Sequence, residues 1–343
     1  MCRNLFDENW FFFLTFQPQM NSPDNNYTKR LAAVTAELEK SYRDKGATND
    51  IDGINLPIHS GVIEIIDLYM ALIFPGFLNG EKLLKRDLAH EKSKILKDLF
   101  DKLSKEVEAS VRFGNRKLCK EDCEDMAKKS TVFLLEKLPG IRSLLITDIE
   151  AAFYGDPSVN LREEIILCFP GLYAVALYRF AHEFYELGIP LIPRMMTEIA
   201  KTKTGIDIHP GAKIGSHFFI DHGTGVVIGE TTEIGDCVKI YQNVTLGALS
   251  FKKEENGKLQ KGVKRHPTIG NKVIIYSGSS ILGGKTVIGE NSIIGGNVWL
   301  TRSVDANRVI VFDAETRLLK ESENTDVNNC VPCYEKERAA ERV

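Results

Sequence analysis

Four of the seven histidines fall between residues 209 and 266, at His209, His217, His222 and His266. Three sit in polar, turn-forming strings: Asp207-Ile208-His209-Pro210, Asp221-His222-Gly223-Thr224-Gly225 and Arg265-His266-Pro267. A carboxylate beside an imidazole can orient it and stabilise its charged form, which is what a general base acting on a hydroxyl or amine requires. Arg265 adds a planar donor fork suited to a bidentate grip on a substrate carboxylate. His217 and His222 are also spaced compatibly with two zinc ligands, if a third histidine came from elsewhere and water kept the open position. A polar residue on a regular scaffold can equally well just face water. Cys330-Val331-Pro332-Cys333 has the spacing of half a metal or redox site, but its polar tail lacks a strand–helix context. Cys237 lies inside an ordinary repeat and is read as structural.

These residues are carried by a repeat. Ile or Leu recurs at 208, 214, 220, then 228, 234, 240, 246, then 269, 275, 282, 288, 294 and 300, mostly six residues apart. The next position is usually Gly, and the position four later is mostly small or β-branched, as at Ala212, Thr224, Thr232, Val238, Val244, Val273, Ser279, Thr286, Ser292 and Val298. A period of six fits one short strand and one tight corner, with three units closing a triangular coil. The aliphatic side chain fills the interior and the small one shares it without crowding. Glycine suits the corner, where positive φ or close backbone approach is needed. Two interruptions break the rhythm: two extra residues between Ile220 and Ile228, and seventeen between Leu246 and Ile269. Insertions project from a solenoid and often build its binding face.

Upstream, residues 28 to about 203 carry helix signals. Leu31, Val34 and Leu38, and Ile63, Ile66 and Met70, recur at helical spacing, and Lys82 to Val111 is long, charged and periodically apolar. Pro139-Gly140, Asp156-Pro157, Pro170-Gly171 and Gly188–Pro190 punctuate the later helices; one ends near Tyr154 and another spans Gly171 to Leu187. The expected organisation is a disordered extension over 1–27, an α-helical domain over 28–204, a β-helix over 205–303 and a tail over 304–343. Met1 to Met20, centred on Trp10–Leu14, resembles a secretion signal only weakly; translation beginning at Met20 is the other reading.

The 343 residues suffice for two domains, and 44 basic against 47 acidic side chains leave a formal charge of −3, unlike a nucleic-acid binder. The apolar stretch Ile165–Tyr178 is too short for a membrane span and is broken by Pro170-Gly171. Seven cysteines, an odd count in a large chain, argue for reduced thiols and a soluble, cytoplasmic protein.

The strings around the histidines resemble the serine O-acetyltransferases. The matching residues are Asp156-Pro157, Asp207–Gly215, Asp221–Thr231, Asn243–Gly247 and Arg265-His266-Pro267, within roughly Leu138 to Leu300. Leu56-Pro57 and Phe74-Pro75-Gly76 look like a branch of that family with a longer N-terminus. The resemblance implies an α+β chain, with an N-terminal helical domain followed by a left-handed parallel β-helix of hexapeptide repeats. It implies acetyl transfer from acetyl-CoA to the hydroxyl of L-serine in cysteine biosynthesis, without a covalent acyl-enzyme, a metal or a tightly bound cofactor.

Carried over residue by residue, His222 is the general base and Asp207 the carboxylate that orients it. Arg265 receives the serine carboxylate, Asp156 and Asp221 the ammonium group, and His266 lies near the hydroxyl. Gly247, Ala248, Ser277 and Gly296 mark where the pantetheine arm of CoA would run. Asp156 would reach the β-helix from the helical domain of the same or a neighbouring subunit. The lysine-rich loop Ser250–Lys264 could attract CoA phosphates or simply be solvated. A homotrimer or a dimer of trimers, L-cysteine as an inhibitor and O-acetylserine sulfhydrylase as a partner are further implications. Where this family often has a Pro-Ala-Arg segment, the chain has Val311-Phe312-Asp313-Ala314-Glu315-Thr316, and it ends in Val343 where isoleucine is common. The competing readings are an acetyltransferase for another hydroxyl or amine, a γ-type zinc carbonic anhydrase and a non-catalytic β-helix.

Overall fold

The computed structural model describes residues 27–44, 56–77, 83–251, 253–254 and 257–312. Residues 1–26 of the expected N-terminal extension, including the Trp10–Leu14 string, residues 313–316, the Cys330–Cys333 pair and the chain end lie outside them, while Tyr27, the last residue of that extension, is helical. The chain divides into two compact units, 1–55 and 56–343. In the first, helix α1 (Tyr27–Asp44) carries Leu31, Val34 and Leu38 on the expected spacing, all exposed.

The second unit begins with helices α2 (His59–Ile73), α3 (Leu88–Gly114), α4 (Lys120–Gly155), α5 (Arg162–Cys168), α6 (Pro170–Glu186) and α7 (Ile192–Thr204). Helix α2 buries Val62, Ile65, Ile66, Tyr69, Met70 and Ile73, a stripe at i, i+3, i+4 spacing; Ile63 falls off the stripe and is exposed. Pro139 does not end a helix as its sequence context suggested. It lies inside the 36-residue α4, whose Leu134, Leu138, Ile141 and Leu145 are buried on both sides of it. Tertiary burial of that face outweighs the one backbone hydrogen bond the proline removes. Pro170 instead opens α6, where its missing N–H costs nothing. Gly205, at φ +72°, closes α7 in the left-handed conformation and turns the chain into the strands.

A buried ion pair ties the helices to the start of the strand region. Arg179 of α6 donates from Nε and Nη2 to the Asp148 carboxylate of α4 at 2.7 and 2.9 Å, and from Nη2 to the Gly215 carbonyl at 2.7 Å. Asp148 also accepts the Phe218 N–H at 2.9 Å. Burial pushes the Asp148 pKa up despite the arginine beside it.

The strands are β1 (Asp207–Ile208), β2 (Lys213–Ile214), β3 (Phe219–Ile220), β4 (Val227–Ile228), β5 (Glu233–Ile234), β6 (Lys239–Ile240), β7 (Thr245–Gly247), β8 (Thr268–Ile269), β9 (Ile274–Ile275), β10 (Ser280–Leu282), β11 (Val287–Ile288), β12 (Ile293–Ile294), β13 (Trp299–Leu300) and β14 (Val309–Ile310). They form three parallel sheets: β1-β4-β7-β10-β13, β2-β5-β8-β11 and β3-β6-β9-β12-β14. This is a parallel β-helix, and β14 carries its stacking past residue 303. The register converts both sequence interruptions into coil lengths. Val227 pairs with Thr245, a coil of 18 residues, whereas Asp207 pairs with Val227, a coil of 20 that contains the two extra residues. Glu233 pairs with Thr268, a coil of 35 that contains the seventeen.

Two positions of the repeat are corrected by this register. Ile281, not Leu282, stacks on Leu246 and is fully buried, because the extra residue of that coil follows the strand centre. Val226, not the exposed Thr224, fills the small interior position, since the two-residue insertion displaces it. Where glycine follows the aliphatic residue, it serves close approach. A Cβ on Gly215 would lie 2.8 Å from the Gly235 carbonyl, and one on Gly270 would lie 2.8 Å from the Glu290 nitrogen. Positive φ falls two residues further on, at Cys237, Asn243, Lys272, Asn291 and Asn297, where asparagine is well suited. Cys237 is thus an exposed corner residue.

Candidate active site

The two-residue insertion makes a turn on the edge between the third sheet and the first. His222 (φ +57°), Gly223 (+93°) and Gly225 (+80°) all take left-handed conformations there. A side chain on Gly223 would collide with Ile206 and Ile220, so glycine alone lets this turn lie flat on the coil. The result pushes the His222 imidazole into solvent, 74% exposed, with Nε2 3.8 Å from Asp221 Oδ1. Asp221, by contrast, is buried, and its Oδ2 pairs with Lys239 Nζ at 2.9 Å. That ammonium also donates to the Gly155 carbonyl at 2.8 Å, at the end of α4. Asp156 is the next residue. It accepts the Ser158 N–H and hydroxyl at 2.9 and 2.7 Å. Those bonds, with lesser help from Lys239 and His222, hold its carboxyl below the usual range. Asp156 therefore reaches the β-helix from the helices of the same chain.

A second cluster occupies the edge between the first sheet and the second, where the long insertion returns to β8. Arg265 pairs with Glu230, whose other oxygen accepts the Tyr185 hydroxyl at 2.7 Å. Burial would raise the Glu230 pKa, but the bonds to Tyr185 and Arg265 outweigh it and hold it low. His266 is buried against Gly229, where any Cβ would strike its ring. Its Nδ1 meets the Thr231 N–H at 3.1 Å and hydroxyl at 2.8 Å. Burial, reinforced by Arg265, pushes its pKa down to about 4. His209, on the same edge, is likewise lowered to about 4, by burial first and then Arg194. Both imidazoles are neutral near pH 7, so His266 can accept or donate a hydrogen bond without bringing charge.

The expected site residues thus divide between two edges. Asp156, Asp221 and His222 share one, with Ser277 and Gly296 stacked above them; Arg265, His266, Gly247 and Ala248 share the other. Asp207, the expected partner of His222, accepts from Lys201 Nζ of α7 at 2.7 Å, and among the described residues it makes no hydrogen bond to His222. His217 lies at the corner before the one that carries His222 and binds Ser216, so the two do not form a ligand pair within the chain. Among the described residues no group of three or more His, Cys, Asp or Glu is placed to hold a metal ion. No single described helix is long and apolar enough to cross a membrane. In the lysine-rich loop, Lys252 and Glu255 lie outside the described residues. Lys264 is already engaged, donating to the Thr231 carbonyl at 2.7 Å and pairing with Glu233 at 3.3 Å.

No family model matches the chain. The plasmid-borne serine acetyltransferase of Synechococcus elongatus is 54% identical over 184 residues, 54% of this chain and 57% of that protein. The Helicobacter pylori serine acetyltransferase is 48% identical over 135 residues, 39% of this chain and 74% of that protein. Among solved structures, Entamoeba histolytica serine acetyltransferase 1 in complex with L-cysteine superposes with a TM-score of 0.64 at 36% identity, covering 82% of this chain and 97% of that one. The chain belongs to the serine acetyltransferase family. Its α+β fold, helices followed by a left-handed parallel β-helix, is the one expected of that family. The chain spans 57% and 52% of the length of the first two curated relatives it matches.

Sequence reasoning missed four members of these clusters: Lys239, Glu230, Tyr185 and Lys201. Glu230 stood inside a quoted motif, beside Thr231. Lys239 and Lys201 carried no local signal, since a lysine on a strand face or a helix end ordinarily faces water.

Proposed function

We propose that this acetyltransferase moves acetyl from acetyl-CoA to the hydroxyl of L-serine, giving O-acetyl-L-serine. The observation that carries the reading is the exposed His222 imidazole, held on a left-handed turn 3.8 Å from the Asp221 carboxylate and within electrostatic reach of Asp156. His222 removes the hydroxyl proton as Oγ attacks the thioester carbonyl; the C–S bond then breaks and the CoA thiolate leaves, taking up a proton. A positioned imidazole supplies roughly 10²–10⁴-fold in such a step. Asp156 and Asp221 receive the ammonium group of serine, Arg265 its carboxylate, and His266 a hydrogen bond at the reacting oxygen.

One chain holds these groups on two edges, so the complete site forms where the His222 edge of one copy meets the Arg265 edge of another, in a homotrimer or a dimer of trimers. Ser277 and Gly296 on one copy, with Gly247 and Ala248 on the next, then line the groove for the pantetheine arm. Asp207 orients His222 once its bond to Lys201 is exchanged for one to the imidazole. L-Cysteine, a near-isostere of serine, is the expected competitor for the same pocket. O-acetylserine sulfhydrylase as a partner and a cytoplasmic location complete the proposal.

The test is CoA-thiol release from acetyl-CoA with L-serine, homoserine and simple sugars, with and without L-cysteine. Serine-dependent release suppressed by cysteine is expected. Release with a sugar but not with serine would overturn the acceptor assignment.

A further inference from the structure

We infer that Lys239 is a positioning and specificity residue of this site: its ammonium braces Asp156 and Asp221 into a pair that has room for one more cation, the amino group of the acceptor. The inference rests on the serine reading above.

Three pieces of the fold converge on one nitrogen. Lys239 stands on the outer face of β6, directly above Phe219 in the stack. From that position a lysine normally reaches into water. Here it folds back, 17% exposed, to meet the Asp221 carboxylate at 2.9 Å and the Gly155 carbonyl at 2.8 Å. Its charge lies 4.9 Å from the centre of the Phe219 ring and 4.5 Å from that of Tyr241, both within cation–π range. Gly155 has no room to retreat: a Cβ there would lie 3.0 Å from the Phe219 ring, so the end of α4 packs flush on β3. Because Asp156 follows Gly155, fixing that carbonyl fixes the helix-borne carboxylate relative to the turn that carries Asp221 and His222.

The charge count gives the specificity. Two carboxylates against one ammonium leave one negative charge, the complement of a single substrate amine. Without Lys239 the Asp156 carboxyl would lose one of the cations that help hold it ionised, and it would protonate more readily. The titratable groups that face this spot are Asp156 from α4, Asp221 and His222 from the turn, and Tyr241 after β6. Burial alone would lower the Lys239 pKa, but the bonds to Tyr241 and Asp221 outweigh it and raise it. The ammonium therefore stays charged throughout the range in which the carboxylates act.

The experiment measures kcat and KM for L-serine and for acetyl-CoA across pH in the full-length oligomer. It compares wild type with Lys239→Met and Lys239→Gln; the glutamine keeps a donor for the Gly155 carbonyl and stays informative if the methionine variant does not fold. Loss of a charge-assisted bond predicts a rise in the KM for serine of about 10- to 100-fold. The KM for acetyl-CoA should be unchanged, and the acid limb of kcat/KM for serine should move to higher pH, because Asp156 loses a cation that helps hold its carboxyl low. Lys239→Arg should return the acid limb to its wild-type position. An active wild type whose glutamine variant keeps its serine KM and acid limb would overturn this inference alone. A wild type without serine-dependent CoA release would overturn the acceptor assignment and this inference with it.

Discussion

Replacing His222 by asparagine separates the chemistry of this site from its scaffold. The imidazole is 74% exposed, and its Nε2 lies 3.8 Å from Asp221 Oδ1, beyond hydrogen-bonding range. Little packing is therefore lost. The backbone constraint is φ +57°, a left-handed conformation that asparagine adopts readily. Folding stability should accordingly change by no more than about 0.5 kcal/mol, the usual range for a surface substitution. Alanine, without the local side-chain bond that lets asparagine occupy this region, would add a backbone cost of its own. Catalysis should respond very differently. Loss of a general base worth roughly 10²–10⁴-fold raises the barrier by about 2.7–5.4 kcal/mol. The assay is serine-dependent CoA-thiol release, with a thermal melt and size-exclusion chromatography on the same samples. The expected result is a kcat reduced by at least about 10² with an unchanged melt and oligomer. A variant that keeps kcat within about tenfold of wild type, against that expectation, would remove His222 from the role of base.

Arg265→Ala should raise the KM for serine far more than that for acetyl-CoA, while Glu230 keeps its bond to Tyr185; equal effects on both substrates would argue against carboxylate recognition. Asp148→Ala leaves the Arg179 guanidinium buried with only backbone carbonyls as partners. It should cost about 3–5 kcal/mol in denaturant unfolding at fixed protein concentration, and a loss below about 1 kcal/mol would contradict that. His209 and His266 have pKa values near 4 in the folded chain against 6.5 in the unfolded one. The unfolded state therefore binds more protons between those values, and stability should fall as pH drops from about 6.5 to about 4. Unfolding curves at pH 7, 5.5 and 4.5 test this, and a His266→Asn variant should show a shallower decline than wild type.

The sequence by itself determined the period. Each six-residue unit must bury one aliphatic and one small side chain in an interior of fixed cross-section, so the repeat is written locally and survives any ignorance of contacts. The two insertions were equally legible, because an added residue shifts every later position, and the strings around His222 and Arg265 stood at those breaks. Phase within a coil was less secure: Leu282 and Thr224 looked like interior positions, and only the register of stacked strands gave those places to Ile281 and Val226. Pro139 misled in the same way, since burial along both halves of α4 is a tertiary quantity. The partners of the charged groups were not legible at all. Lys239 meets Gly155 across 84 positions of chain, and Lys201 holds the Asp207 carboxylate that the family pattern assigns to His222. A triangular coil sends residues on successive corners to different edges. The tertiary structure alone therefore decides that His222 and Arg265 face different neighbours, because which groups can meet depends on stacking and not on distance along the chain.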